Sequence, residues 1–228
     1  MAIAPRPFSR EFLATDTLAA ARALIGARIA RGSGPSACVG RIVEVEAYIG
    51  QEDLACHARF GYTKRNAVMF GPPGAAYVYL VYGMYHCLNV VTEAAGRPAA
   101  VLIRAVEPVL GASEMRAARL RAALGRSPRM EADAVARTRR RIETLPAAAL
   151  ASGPGLVCAA FSIDRRDDGS DLCDEGSDLR LELSDADEQL AVETGPRIGI
   201  DYAPEPWRGR PWRFYVPGNR AASGIPAK

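Results

Sequence analysis

Apolar residues recur along this chain with two periods, and the switches between them mark out its elements. Residues 9–26 carry Phe12, Leu13, Leu18, Ala21, Leu24 and Ile25 at helical spacing and predict an amphipathic helix. Arg31-Gly-Ser-Gly-Pro-Ser36 is turn chemistry, and a strand follows over about 38–49. Six glycines and prolines punctuate 50–74, which reads as a long irregular loop; such loops inside compact domains are usually functional. Residues 75–82 and 85–91 are strand-like, joined through Tyr82-Gly-Met-Tyr85, where Gly83 stands at the first central position of a type II′ turn. Pro98 to Val106 is a further strand, 111–124 and about 128–141 are helical, and Gly153-Pro-Gly155 opens a short helix. Strands are expected near 179–183, 196–202 and 211–216. With no repeat, linker or low-complexity tail, the pattern predicts one mixed α+β domain with a largely antiparallel sheet.

Within that pattern one strand is unusual. In Arg41-Ile-Val-Glu-Val-Glu-Ala-Tyr-Ile-Gly50, alternation puts Val43, Val45, Ala47 and Ile49 on an apolar face. Glu44, Glu46 and Tyr48 then share the other. Two carboxylates two residues apart on one face lie roughly 7 Å from each other. That spacing suits a raised pKa, a cation partner or acid–base work, and an ordinary solvated strand face produces it as well.

Composition changes the picture little. The 228 residues are 49% hydrophobic and 24% charged, ordinary for a soluble globular protein of one core. No apolar run approaches the roughly 18 residues of a membrane span, and no signal-peptide pattern opens the chain. Five cysteines without C-x-x-C spacing read as reduced thiols in a cytoplasmic protein. The net charge is only +3, yet 27 of the 29 basic residues are arginine, and nine of these fall between Arg116 and Arg141. Such a basic face suits a polyanion partner, and equally a GC-rich coding sequence with solvated helices.

Candidate chemistry is sparse. Tyr77, Tyr79, Tyr82 and Tyr85 crowd the hairpin, either as cross-strand packing or as a tip that wedges into a base stack. Cys56-His57 and His86-Cys87 could be drawn as a zinc site. Adjacent strand residues point to opposite faces, however, and neither pair has structural-zinc spacing, so no metal is expected. No nucleophile elbow, dinucleotide fingerprint or Walker loop is present, and no cofactor is indicated.

The pieces nevertheless occur in one order. Val43-Glu-Val-Glu-Ala-Tyr-Ile-Gly50, Glu52-Asp53, Ala55-Cys-His57, Arg65-Asn66, Met69-Phe70, Tyr77-Val-Tyr79, Tyr82-Gly-Met-Tyr85, Asn89, Leu102-Ile-Arg104-Ala and Glu107-Pro108 together resemble the alkyladenine (3-methyladenine) DNA glycosylase family. Ser152-Gly-Pro-Gly155, Arg197-Ile-Gly-Ile-Asp-Tyr202 and Pro211-Trp-Arg-Phe-Tyr215 with Gly218-Asn219 extend the likeness to about residues 9–220. The resemblance implies a single glycosylase domain over 1–228, with a curved sheet, surrounding helices and a protruding β-hairpin. It implies that Glu46 activates the water that attacks C1′ of a flipped nucleotide, and that Arg104 helps hold it. By the same token Tyr48, His57 and Tyr79 would sandwich and hydrogen-bond the extruded base, Asn89 would obstruct the amine of normal guanine, and Tyr82 would fill the gap in the duplex. Leu156 stands where the family pattern has a basic residue, and His86 where an apolar aromatic is common.

The expected activity is hydrolytic excision of alkylated or deaminated purines (3-methyladenine, 7-methylguanine, hypoxanthine, ethenoadenine) from double-stranded DNA in base excision repair, by a monomer. Strand-cutting glycosylases need an amine nucleophile. Only Lys64, Lys228 and the N-terminus offer one here, which favours a monofunctional enzyme. The competing readings are a non-catalytic lesion-binding protein on the same scaffold and an enzyme acting on RNA or free nucleosides.

Overall fold

The structure, a computed structural model, describes residues 6–127, 129–183 and 190–223. Its described residues form one nine-stranded sheet in which every pairing is antiparallel, with helices packed against it. In chain order these are β1 (Arg6–Pro7), α1 (Arg10–Leu13), α2 (Thr17–Leu24), β2 (Arg28–Arg31), β3 (Cys38–Ile49), β4 (Ala76–Val81), β5 (Tyr85–Val91), β6 (Ala99–Leu110), α3 (Ala112–Gly125), α4 (Ala132–Glu143), α5 (Pro154–Ala160), β7 (Leu179–Leu183), β8 (Glu193–Gly195) and β9 (Arg213–Tyr215). The α+β fold with an antiparallel sheet is as the sequence predicts. Strands run in the order β1-β7-β2-β3-β6-β5-β4, with β9 pairing both β3 and β8.

The long strands β3 and β6 form the spine. β3 pairs β2 over its first residues and β9 over its later ones, so the sheet divides along it. The main core lies under the helices. Leu13, Ala21, Leu24, Met115, Val157 and Cys158 pack on Ile42, Val45, Ala47, Leu88, Val101 and Ile103. Each fully buried Leu, Ile, Val or Met side chain there favours folding by about 1.5–3 kcal/mol.

Several expectations need correction. The helix over 9–26 is two helices, because the Asp16 carboxylate caps a new start by accepting the N–H groups of Leu18 and Ala19 at 2.9 and 3.1 Å. β2 fills the short interval between that expected helix and the turn, where the sequence pattern assigns no element. The 196–202 segment is irregular, not a strand. Residue 128, where the sequence starts the second arginine-bearing helix, lies outside the described residues, and α4 begins at Ala132.

Alternation on β3 is also broken. Pairing with β6 keeps one register at Ile42↔Val106 and again at Val45↔Ile103, but slips between them so that Glu44 faces Ala105. Val43 therefore leaves the face of Val45 and Ala47 and packs with Ala105 and Ala221 instead. This irregularity falls beside Glu44 and Arg104, in keeping with the tendency of bulges to sit next to active sites.

The hairpin β4–β5 pairs from Ala76↔Val90 to Val81↔Tyr85. Its turn is displaced by one residue from the expected one. Met84 N–H donates to Val81 O at 3.1 Å, so Tyr82 and Gly83 are central, with φ of 51° and 67°. Two left-handed central residues make a type I′ turn. At its base Tyr85 lies so close to Gly155 that a Cβ there would meet the Tyr85 ring at 2.8 Å. The Arg126 guanidinium covers that ring at 4.5 Å.

Candidate active site

A cavity of about 480 Å³ opens between the hairpin, the 55–69 loop and the 198–202 segment, a usual size for a small-molecule pocket. Tyr48, His57, Tyr79, Tyr82, Asn89 and Arg104 all line it. The sheet brings them together: Asn89 on β5 faces Leu102 on β6, and Ala100 of β6 faces Tyr48 on β3. Glu46 does not line the cavity. It is fully buried just behind the wall, bonded to three groups whose residues do.

Those three groups fix its carboxylate. The Ile198 N–H donates to Oε1 at 2.6 Å, the Tyr48 hydroxyl donates to Oε2 at 2.9 Å, and Arg104 Nη1 lies 3.3 Å from Oε2. A carboxylate has room for about four donors, so one position stays open. Burial pushes the Glu46 pKa above the usual carboxylate value; Arg104, Ile198 N–H and Tyr48 oppose it without cancelling it. Burial likewise drives the Tyr48 phenol well up, so it remains a donor. Arg104 also stands 3.5 Å from Glu44. Glu44 itself is held by Arg213 at 2.9 Å and by the Ser223 N–H at 2.7 Å, away from the cavity lining.

The aromatic walls are equally constrained. His57 Nδ1 is 2.9 Å from the Tyr77 hydroxyl, and its ring meets Tyr79 edge-on at 4.5 Å. Burial, then Arg65 and Arg59, lower its pKa to about 4, which leaves it neutral near pH 7 with one ring nitrogen free for a ligand. The Asn89 amide donates to Tyr77 O at 3.0 Å on the cavity floor. At the mouth, Tyr82 is 84% exposed in a left-handed conformation that a tyrosine rarely adopts. The first central position of a type I′ turn requires this conformation.

Reading the sequence missed the support of this site. Asp53 and Arg197 form a fully buried pair with bonds of 2.6 and 2.9 Å. Arg197 also donates to Ala47 O at 2.9 Å, and its guanidinium backs the Tyr48 ring at 4.7 Å. Its neighbour Ile198 supplies the N–H on Glu46, so the pair fixes both the carboxylate and the aromatic wall. An arginine within the apolar run Arg197-Ile-Gly-Ile200 was the available signal. Among the described residues, no group of three or more His, Cys, Asp or Glu could hold a metal ion, and no helix is long and apolar enough to cross a membrane. All five cysteines are free.

Comparison with known proteins supplies the class and then the family. The match is to DNA glycosylases, hydrolases of the N-glycosidic bonds that carry damaged bases. Residues 11–220 match the family described as methylpurine-DNA glycosylase, and the chain belongs to that family. Similar proteins named "Putative 3-methyladenine DNA glycosylase" occur in Methanocella arvoryzae (46% identical, covering 90% of each chain) and Myxococcus xanthus (42%, covering 94% of this chain and 92% of the relative). A third, from Legionella pneumophila, is 39% identical over 94% of this chain and 96% of its own.

Proposed function

We propose that the protein is a monofunctional glycosylase that extrudes alkylated or deaminated purines from duplex DNA and hydrolyses their bond to the sugar. The observation that carries this reading is the buried Glu46, held by Arg104, Tyr48 and Ile198 N–H against the wall of an aromatic cavity. Breaking the N-glycosidic bond builds positive charge on the sugar, which a neighbouring carboxylate stabilises, as in glycoside hydrolysis. Glu46 takes the proton of the attacking water through its open acceptor position. Its raised pKa makes it a better proton acceptor than an ordinary glutamate, while Arg104, the Ile198 N–H and the Tyr48 hydroxyl favour its charged form.

The purine stacks between Tyr48 and the His57–Tyr79 pair, and a cationic methylated base gains further from aromatic faces. Asn89, anchored to the floor, disfavours guanine by opposing its exocyclic amine. Extrusion costs a few kcal/mol of unstacking, least at damaged pairs, and Tyr82 fills the space left behind. An amine route is disfavoured because Lys64 is exposed and outside the cavity lining. Lys228 and the N-terminus lie outside the described residues.

The test is base release from duplexes carrying one hypoxanthine, ethenoadenine, 3-methyladenine or 7-methylguanine, wild type beside Glu46→Gln, with and without alkali. Strand breaks only after alkali, and only with wild type, are expected. Lesion-selective binding without release by wild type would favour a lesion-binding protein instead.

A further inference from the structure

Eleven large hydrophobic side chains are exposed on the described surface; Tyr82, Ile198 and Tyr202 line the cavity, and Leu80, Met84, Leu54, Phe60 and Tyr62 stand on or beside the hairpin and the loop that supply its walls. Leu80, Tyr82 and Met84 belong to the hairpin lip, whose role the Tyr82 wedge absorbs. A second lip, on the 54–62 and 198–202 segments, is unexplained: Leu54, Phe60, Tyr62, Ile198 and Tyr202, with Phe60, Tyr62 and Tyr202 exposed by 70, 68 and 61%. Concentrated exposed apolar surface of this kind marks an interaction site.

The chemistry of this lip is specific. Arg59 sits over the Phe60 ring at 4.5 Å and over the Tyr202 ring at 5.1 Å, so one guanidinium bridges two aromatic faces. The run Arg59-Phe-Gly-Tyr-Thr-Lys-Arg65 interleaves three cations with two aromatics and has no acid. Aromatic faces beside cations are how proteins hold unstacked bases and the phosphates that join them.

The lip is also rigidly presented. Buried Asn66 donates to His57 O at 3.2 Å and Gly61 O at 2.9 Å, and accepts from the Thr63 N–H at 2.7 Å and its hydroxyl at 2.9 Å. Gly61, at φ 74°, permits the reversal. A single short 3-10 turn, His57–Phe60, thus turns His57 into the cavity and leaves Phe60 in solvent. Tyr202 is pinned by its hydroxyl, which donates to Ala55 O at 3.0 Å. Side chains ordered in advance bind with less entropic cost.

We propose that Phe60, Tyr62 and Tyr202, with Arg59 and Lys64, form a second base-stacking site that takes an unpaired nucleobase of the DNA beside the lesion. The ligand class is single-stranded or locally unpaired DNA. This rests on the reading of the cavity as the seat of the extruded base. Its consequence is a preference for lesions that lie next to unpaired nucleotides.

The test compares two hypoxanthine substrates, one fully paired and one with a short unpaired stretch on one side of the lesion. Binding and single-turnover release are measured for wild type, Phe60→Ala and Phe60→Tyr. Wild type should favour the unpaired substrate, and Phe60→Ala should cut that preference by roughly fivefold or more, while Phe60→Tyr keeps it. Equal preference in wild type and Phe60→Ala would overturn the proposal. So would a wild-type dimer that Phe60→Ala converts to monomer with no change in substrate preference, since the lip would then be a self-association surface. Absence of release from any substrate by wild type would instead remove the reading of the cavity.

Discussion

Two buried carboxylate–arginine pairs lie next to each other in this molecule, and they are built differently. Asp53 uses both oxygens fully: Arg197 donates at 2.6 and 2.9 Å, and the N–H groups of Ala55 and Ile49 at 3.0 and 3.3 Å. Glu46 has three partners, and its arginine stands back at 3.3 Å. The Nε of each arginine lacks a hydrogen-bond partner among the described residues, so the difference lies in the carboxylates. A saturated carboxylate can only hold its neighbours, whereas one with an open position and a raised pKa can still accept a proton. The first pair orients the second through Arg197 and Ile198.

The largest effect should come from the reactive pair. Glu46→Gln is expected to slow single-turnover base release by about 10²- to 10⁴-fold, the usual contribution of a general base, with binding of lesion duplex preserved. Equal activity would remove Glu46 from the chemistry. The structural pair should fail in the other way. Arg197→Met strands a buried carboxylate, and urea unfolding should show a loss of about 3–5 kcal/mol. A loss within experimental scatter would mean that Asp53 is hydrated and the pair holds nothing.

Acidity separates the pairs further. Base release needs ionised Glu46, so the rate should fall as pH drops through its raised pKa, placing the acid limb above the ordinary glutamate value. His57, with a pKa near 4, is neutral through that range, and His57→Gln should leave the limb where it is. A limb that moved with His57 would reassign it. The smallest effect concerns the tip. Tyr82→Gly relieves a left-handed tyrosine and should stabilise the fold by up to about 1 kcal/mol while weakening lesion binding, a trade of stability for function. A stability loss would show that the exposed ring packs on something.

Much of this was legible in the sequence because it is local. β3, the hairpin strands and β6 each carry their own period, and Glu46, Tyr48, His57, Tyr79, Tyr82, Asn89 and Arg104 were singled out by the ordered family resemblance and lie in or beside one cavity. What was missed is non-local or carried by the backbone. The alternating Arg197-Ile-Gly-Ile200 reads as a strand, yet Arg197 is drawn inward by Asp53, 144 residues away, and no local period reports that. The N–H of Ile198 has no side-chain signature at all. The slip at Val43 and the displaced turn at Tyr82 are strains that tertiary contacts hold against local preference. The Asp16 cap, in contrast, was visible in Asp16-Thr-Leu-Ala and shows where a helical period alone is an insufficient guide.

The most direct test measures Glu46→Gln and Asp53→Asn side by side, recording hypoxanthine release and the urea midpoint at neutral pH. Because the folded-state pKa of Glu46 lies above its unfolded value, its ionisation works against the fold, and that cost grows as pH rises through the raised pKa. Glu46→Gln should therefore slow release by about 10²- to 10⁴-fold without lowering the midpoint, while Asp53→Asn should lower the midpoint markedly. Destabilisation by both variants alike, or release by Glu46→Gln at the wild-type rate, would contradict the division into a holding pair and a reacting pair.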